Sequence, residues 1–150
     1  MAPLERILRN TDVFRPEELE VALELMQVVI DEPGQEDYMM QTLVDEEGVV
    51  RGYYCVGPTP MTEGTFDLYW IASDPEVHGK GVGTKLLEHC ETIVRSRNGK
   101  LIVAETSSQP KYDATRAFYE RRGYCLAARI RDYYSPGDDL VIYSKHLQEA

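Results

Sequence analysis

The stretch Val77-His78-Gly79-Lys80-Gly81-Val82-Gly83-Thr84 decides how this chain is read. Glycines alternate at positions 79, 81 and 83, and a helical pattern begins directly behind them. A glycine has no Cβ, so the chain can turn sharply and point successive N–H groups in one direction. A helix that starts at such a turn adds its own unpaired N–H groups and the positive end of its dipole. Together these features bind phosphate, and Lys80 adds a full positive charge inside the turn. A plain chain reversal needs one glycine rather than an alternating set.

A P-loop requires Gly-x4-Gly-Lys-Ser/Thr, whereas the order here is Gly83-Thr84-Lys85. The dinucleotide fingerprint fits in its first half, Gly79-x-Gly81, and Glu105 lies roughly where an acidic residue would meet a ribose. Its third glycine would fall on Thr84, however. A dinucleotide strand also runs almost directly into its first glycine, and here Ser73-Asp74-Pro75-Glu76-Val77-His78 intervene. Proline cannot donate to a ladder, so the strand ends well before the loop.

The segment Ile71-Ala72-Ser73 through Gly83 resembles the acyl-CoA pyrophosphate loop of the GNAT superfamily of N-acetyltransferases, Arg/Gln-x-x-Gly-x-Gly/Ala after a strand. His78 stands at the family's Arg/Gln position and Ser73 at its Val. A second stretch, Tyr112-Asp113-Ala114-Thr115-Arg116-Ala117-Phe118-Tyr119-Glu120-Arg121-Arg122-Gly123-Tyr124, resembles the family's Asn-x-x-Ala-x-x-Phe/Leu-Tyr-Glu-x-x-Gly-Phe signature. Tyr112 takes the Asn position and Thr115 the Ala position. Two signatures in order, with a strand between, are more specific than either alone.

The resemblance implies an α/β (α+β) domain over residues 1–150, with a mixed, mostly antiparallel sheet and helices on both faces. It implies acetyl-CoA as co-substrate, no metal, and acetyl transfer to a primary amine by direct attack in a ternary complex. The co-substrate would be held by Ile71, Ala72, Ser73, His78, Gly79, Lys80, Gly81, Val82, Gly83, Thr84, Tyr112 and Arg116. Tyr119 takes the position of the family's acid. Glu105 resembles the base glutamate of the ribosomal-protein alanine acetyltransferases, a group that the Arg131-to-Ile142 tail resembles too. The chemistry needs both roles. An alkylammonium with a pKa near ~10.4 must lose a proton before it attacks, and a thiolate whose thiol has a pKa near ~8.5 leaves more easily beside a donor. The structural alternatives are a packing tyrosine at 119 and an arginine-paired carboxylate at 105. A non-catalytic acyl-CoA sensor on the same fold is the functional alternative, and turnover of an amine separates the two.

The rest of the chain bounds this reading. It has 150 residues, 43% hydrophobic and 28% charged, which suits one globular domain. A net charge of −10 repels nucleic acid and anionic membrane and suits a cationic amine, whether small molecule or peptide. No apolar run has membrane-span length and the N-terminus lacks a signal-type segment, so a cytoplasmic protein is expected. Nothing in the sequence excludes a homodimer. Cys55, Cys90 and Cys125 are dispersed and odd in number, which argues against a disulfide framework or zinc knuckle. His78, His89 and His146 lack metal-ligand spacing.

Leu4–Arg9 reads as a first strand. Thr11-Asp12 and Pro16 signal a helix, and Leu19, Ala22, Leu23, Met26, Val29 and Ile30 give its apolar face. Residues 38–45 lean to strand near their end. Glu46-Glu47-Gly48 form a hairpin turn into Val49–Val56, and Phe66–Ala72 is a further strand. Gly81–Arg97 is the strongest helix, closed by Asn98-Gly99. Leu101–Glu105 is a buried strand and Thr106–Tyr112 a polar loop. Asp113 caps a helix over Ala114–Arg122, and strands at Tyr124–Asp132 and Leu140–His146 close the chain. Asp67, Tyr69 and Trp70 alternate on the central strand, one face of which should meet the substrate and the other the core; Tyr133 and Tyr134 either wall an amine pocket or simply pack, and the sequence does not decide between these.

Overall fold

The computed structural model describes residues 2–10 and 16–147. Helices α1 (Ala2–Asn10) and α2 (Pro16–Asp31) precede strands β1 (Met39–Val44), β2 (Val50–Pro58) and β3 (Thr65–Ser73). Helix α3 (Val82–Ser96), strand β4 (Leu101–Ser107), helix α4 (Asp113–Arg121) and strands β5 (Cys125–Ser135) and β6 (Asp138–His146) follow. The strands form one sheet in the order β1-β2-β3-β4-β6-β5. Only β3 and β4 pair in parallel, joined through α3; every other pair is antiparallel. The mixed, mostly antiparallel sheet expected from the sequence is therefore present.

Alternation along the strands divides the core in two. Phe66, Leu68, Ile102 and Ala104 point to one face and pack with Leu86, Leu87, Cys90 and Val94 of α3 and Tyr119 of α4. Tyr53 and Ala72 point to the other, against Leu4, Ile7 and Leu8 of α1 and Ala22 and Met26 of α2.

The first strand expected from the sequence is a helix. Leu4, Ile7 and Leu8 recur at the spacing of one helical face, not at period two, and all three are buried. Glu5 and Arg9, one turn apart, pair at 2.7 Å on the outer side. Thr11 and Asp12 lie outside the described residues, and α2 opens at Pro16, a position where the missing N–H is no loss. The polar loop after Glu105 is shorter than expected, because Thr106 and Ser107 continue β4 and are buried. Asp113 does not cap α4: it is the first helical residue, behind a 3₁₀ turn over Pro110–Tyr112.

The pairing of β3 with β4 spans only Thr65–Leu68 against Leu101–Ala104. Both strands run on beyond it, β3 to Ser73 and β4 to Ser107. A bulge explains the parting. Cys55 pairs with Trp70 and Val56 with Leu68, so Tyr69 is an extra residue on β3, and a bulge bends and twists its strand. Ladder alternation then fixes where the upper backbone groups of β3 point. The Asp74 N–H donates to the Arg51 carbonyl at 2.8 Å, so Ala72 and Trp70 also bond towards β2. Ile71 and Ser73 turn their N–H and C=O groups the other way, towards the side where β4 has left.

Asp74, fully buried, holds the end of β3. Its carboxylate accepts from the Glu76 N–H at 3.0 Å, from Arg51 at 3.2 Å and from Arg6 of α1 at 3.3 Å. Burial pushes this carboxyl up, but the Glu76 N–H and the two guanidinium groups outweigh it and hold its pKa below the usual carboxylate value. A lowered pKa contributes stability that is complete above the unfolded value of ~3.9 and is lost as pH falls through the native one. Asp74→Asn should lower stability at pH 7 by about 3 kcal/mol, on the order of 10 °C in Tm. Thermal melts from pH 7 to pH 3 should show the gap to wild type closing below about pH 4. A constant gap would mean the charge contributes nothing.

Candidate active site

The glycine loop leaves β3 through a 3₁₀ turn over Pro75–Val77 that the Asp74 carboxylate caps. His78 folds back, its Nε2 lying 3.3 Å from the Ser73 carbonyl oxygen. Gly79 and Gly81 then take left-handed conformations, with φ of 81° and 79°. A Cβ at either position would meet nothing within 4 Å, so the concave side of the turn is open. Helix α3 starts at Val82, and its first turn holds N–H groups without partners in the helix. Open space and a helix N-terminus fit a pyrophosphate, although the Lys80 N–H is taken by the Val77 carbonyl at 3.1 Å. Lys80 is exposed beside them.

The second signature packs directly on the first. A Cβ at Gly83 would touch the Phe118 ring at 3.4 Å, so that glycine lets α4 approach α3. Arg122, one turn beyond Phe118, donates to the Thr84 hydroxyl from Nε at 2.9 Å and from Nη2 at 2.6 Å. Its guanidinium carbon lies 5.6 Å from the Phe118 ring centroid. The contacts of Arg116 go elsewhere. It donates to the carbonyls of Ser107 at 2.5 Å and Gln109 at 3.1 Å, and it pairs with Asp113. Arg116 thus braces the β4–α4 connection, and Arg122 is the arginine at the loop. The i+4 spacing from Phe118 was the available signal for it. Tyr112, buried, lies under Lys111 in that connection.

Tyr119 and Glu105 lie on opposite faces of the sheet. Tyr119 is 5% exposed on the α3 face, its ring 5.5 Å from that of Tyr124 and 5.9 Å from that of Tyr143. Burial raises its phenol pKa well above the usual value, so it stays protonated near neutrality. Among the described residues no hydrogen bond holds its hydroxyl. Glu105 belongs to the other face. It sits inside β4 rather than at its end, two residues past Val103, which registers with Asp67. Partial burial raises its pKa, and the charge of Asp67 raises it further. No arginine pairs with Glu105 among the described residues. The two groups can meet only through the opening where β3 and β4 part, and the glycine loop closes one end of that opening.

A family model for the Acetyltransferase (GNAT) family matches residues 6–124. This chain belongs to the GNAT family. A solved structure assigned to that family, from Desulfovibrio desulfuricans, is 39% identical, covers 97% of this chain and 90% of its own, and superposes with a TM-score of 0.89. The ribosomal-protein-S18-alanine N-acetyltransferase of Escherichia coli shares the fold, with a TM-score of 0.66, 22% identity, and coverage of 81% of this chain and 77% of its own. A 5-NmdU N-acetyltransferase of Pseudomonas phage PaMx11 is 34% identical over 85 residues, 57% of this chain and 56% of the relative. The chain thus spans about half the length of that relative.

An open groove of about 730 Å³ flanks the GNAT loop on its outer side, lined by Asp45, Glu46, Glu47, Arg51, Lys80 and Lys85. Glu105, Tyr119, Ile71 and Ser73 do not line it. Tyr133 and Tyr134 pack edge to face at 5.0 Å on β5. Among the described residues no group of three His, Cys, Asp or Glu is placed to hold a metal ion, and no helix is long and apolar enough to cross a membrane. Arg116→Gln should act on stability. It removes a charged donor from two carbonyls and should cost about 1–3 kcal/mol. Hydrogen exchange at residues 107–113 should speed up while the α3 amides keep their protection. Unchanged exchange there would remove the bracing role.

Proposed function

We propose that residues 1–150 form one N-acetyltransferase domain that moves an acetyl group from acetyl-CoA to a primary amine by direct attack in a ternary complex. The observation that carries this reading is the opening between β3 and β4. It ends in the glycine loop, and it has a protonated phenol on one face and a carboxylate of raised pKa on the other. Acetyl-CoA supplies the acyl group as a thioester, whose carbonyl the amine attacks as the thiolate leaves.

The amides of Gly79 and of Gly81 to Thr84 hold the pyrophosphate, with charge from the side chain of Lys80, whose own N–H donates to the Val77 carbonyl, and from Arg122 through Thr84. Backbone groups of Ile71 and Ser73, turned away from β2, pair with the amides of the pantetheine arm as a neighbouring strand would. The Ile71 N–H is the donor for the developing oxyanion. Glu105 takes the ammonium proton, directly or through water, and Tyr119 gives its proton to the leaving sulfur. Support for direct attack comes from the cysteines: Cys55 and Cys90 are buried, and Cys125 opens the edge strand β5. Three free thiols also fit a reducing compartment, and the cytoplasm is the proposed location.

Tyr119→Phe removes one hydroxyl and little volume. Its kcat should fall by about 10²–10⁴ with the affinity for CoA unchanged. Glu105→Gln should abolish the acidic limb of the pH–rate profile. That limb should lie above the usual carboxylate range in wild type, because a raised pKa keeps the base protonated to higher pH. A Tyr119→Phe protein with near-normal kcat where chemistry limits the rate would end the acid assignment. A limb that persists in Glu105→Gln would end the base assignment.

Gly81→Ala tests the loop. A side chain at φ of 79° is strained by roughly 1–2 kcal/mol, and relief of that strain would turn the N–H fan. CoA affinity should drop at least about tenfold in a protein that still melts cooperatively. Calorimetry showing wild-type CoA binding by Gly81→Ala would refute the site.

A further inference from the structure

The reading of Glu105 as base leaves a carboxylate unexplained. Asp67 registers with Val103 across the β3–β4 pair, and Glu105 is two residues further along β4. Side chains two apart on a strand share a face, so Asp67 and Glu105 stand together where the strands part, on the face away from α3. Among the described residues neither accepts a hydrogen bond or joins an ion pair. Among the described residues, the neighbours in register with them add no cation. On β6 Ile142 registers with Glu105, on β5 Ala128 registers with Ile142, and on β4 the neighbour on this face is Val103. On β2 Gly57 registers with Asp67. A Cβ there would run into the Asp37 carbonyl oxygen and would lie 3.2 Å from the Tyr69 ring, so the segment before β1 seats on this same face. It brings Tyr38, whose ring meets that of Tyr69 edge to face at 5.3 Å. The Tyr69 phenol is pushed up to about 12, by burial first and then by Asp67, so it too stays neutral.

Proton accounting separates the roles of the two carboxylates. An alkylammonium entering this face neutralises part of their charge. When Glu105 takes its proton, both the base and the attacking amine become neutral. Asp67 would then face the acyl transfer as a partly buried anion with no counter-ion, which is unfavourable. A second positive charge on the acceptor, one that the reaction does not remove, would stay paired with it, and the Tyr38 and Tyr69 rings can take a cation on their faces.

We propose that Asp67 is the specificity-determining residue for the acceptor, and that the acceptor is an amine carrying a second cationic group a few bonds from the reacting nitrogen. This rests on the acetyl-transfer reading of the same site.

The probes are 1,3-diaminopropane and propylamine, matched in length, with thiol release from acetyl-CoA as readout. An ion pair with charge-assisted hydrogen bonds should favour the diamine about 10- to 100-fold in kcat/KM. In Asp67→Asn the preference should collapse towards the roughly twofold advantage that two equivalent amines give by statistics. A merely structural role for Asp67 would change both amines alike and leave the ratio intact. Calorimetry of the CoA-loaded protein with 1,3-diaminopropane gives a second reading that needs no turnover, and Asp67→Asn should weaken that binding by a similar factor. Equal use of the two amines by wild type, a ratio that survives Asp67→Asn, or no binding of the diamine overturns the proposal. None of these touches the acetyl-transfer reading, which fails instead if CoA does not bind or if no amine of any kind is acetylated.

Discussion

The short parallel pairing between β3 and β4 is the constraint on which the site depends. Four residues on each strand close the lower half of the sheet, and their apolar side chains, Phe66, Leu68, Ile102 and Ala104, anchor α3 across it. A fifth pair would close the upper half. The extra residue at Tyr69 prevents this by bending β3, while β4 stays straight along β6 through Ser107. The same bulge sets the ladder phase that leaves Ile71 and Ser73 without a strand partner on the open side, where the Ser73 carbonyl meets only His78 Nε2 among the described residues. One inserted residue therefore creates both the opening and the backbone groups that line it.

The opening solves an electrostatic problem. An acyl-CoA donor is strongly anionic and an amine acceptor is cationic, and a chain of net charge −10 repels the first. The fold answers locally. The α3 N-terminus, Lys80 and Arg122 bring positive groups to the loop, beside Asp45, Glu46 and Glu47 of the outer groove. Asp67, Glu105 and Asp37 lie on the face away from α3. In the proposed reading the reacting atoms meet through the opening between β3 and β4. Net charge, which argues against a phosphate ligand when read globally, is thus consistent with one when read by face.

The sequence made legible what depends on local pattern. The glycine loop, α3 and the order of the later strands follow from spacing and turn chemistry, and the structure has them. The misread elements are those where a short window carried too little period. Leu4-Glu5-Arg6-Ile7-Leu8-Arg9 is apolar at spacings of three and four, but six residues look like a strand until Ala22 and Met26 are known to lie opposite. The position of Glu105 within β4, the turn ahead of Asp113 and the partners of Arg116 and Arg122 could not be read along the chain. Each depends on which distant backbone a side chain reaches. Arg116 finds the carbonyls of a connection that had been read as loop. Arg122 finds Thr84, 38 positions away. Asp74 was the clearest missed signal, since an Asp-Pro pair after a strand is a cap signature visible in sequence.

Asp74 also connects the two sides of the sheet. Arg51 reaches it from β2, where the same guanidinium pairs with Asp45 at 2.8 Å and Glu76 at 3.2 Å, and Arg6 reaches it from α1. Helix α1 covers the face opposite α3, and Asp74 begins the turn that aims the glycine loop. A shift of α1 against the sheet would therefore pull on the residue that sets the loop's exit angle. The buried carboxylate resists this because it has three partners in fixed directions, and loss of any one weakens the compensation of a charge held in the interior. Placement of the glycine loop is in this sense a property of the whole sheet and of the helix on its far side, not of the glycines alone. The glycines permit the conformation, and the Asp74 network selects where it points.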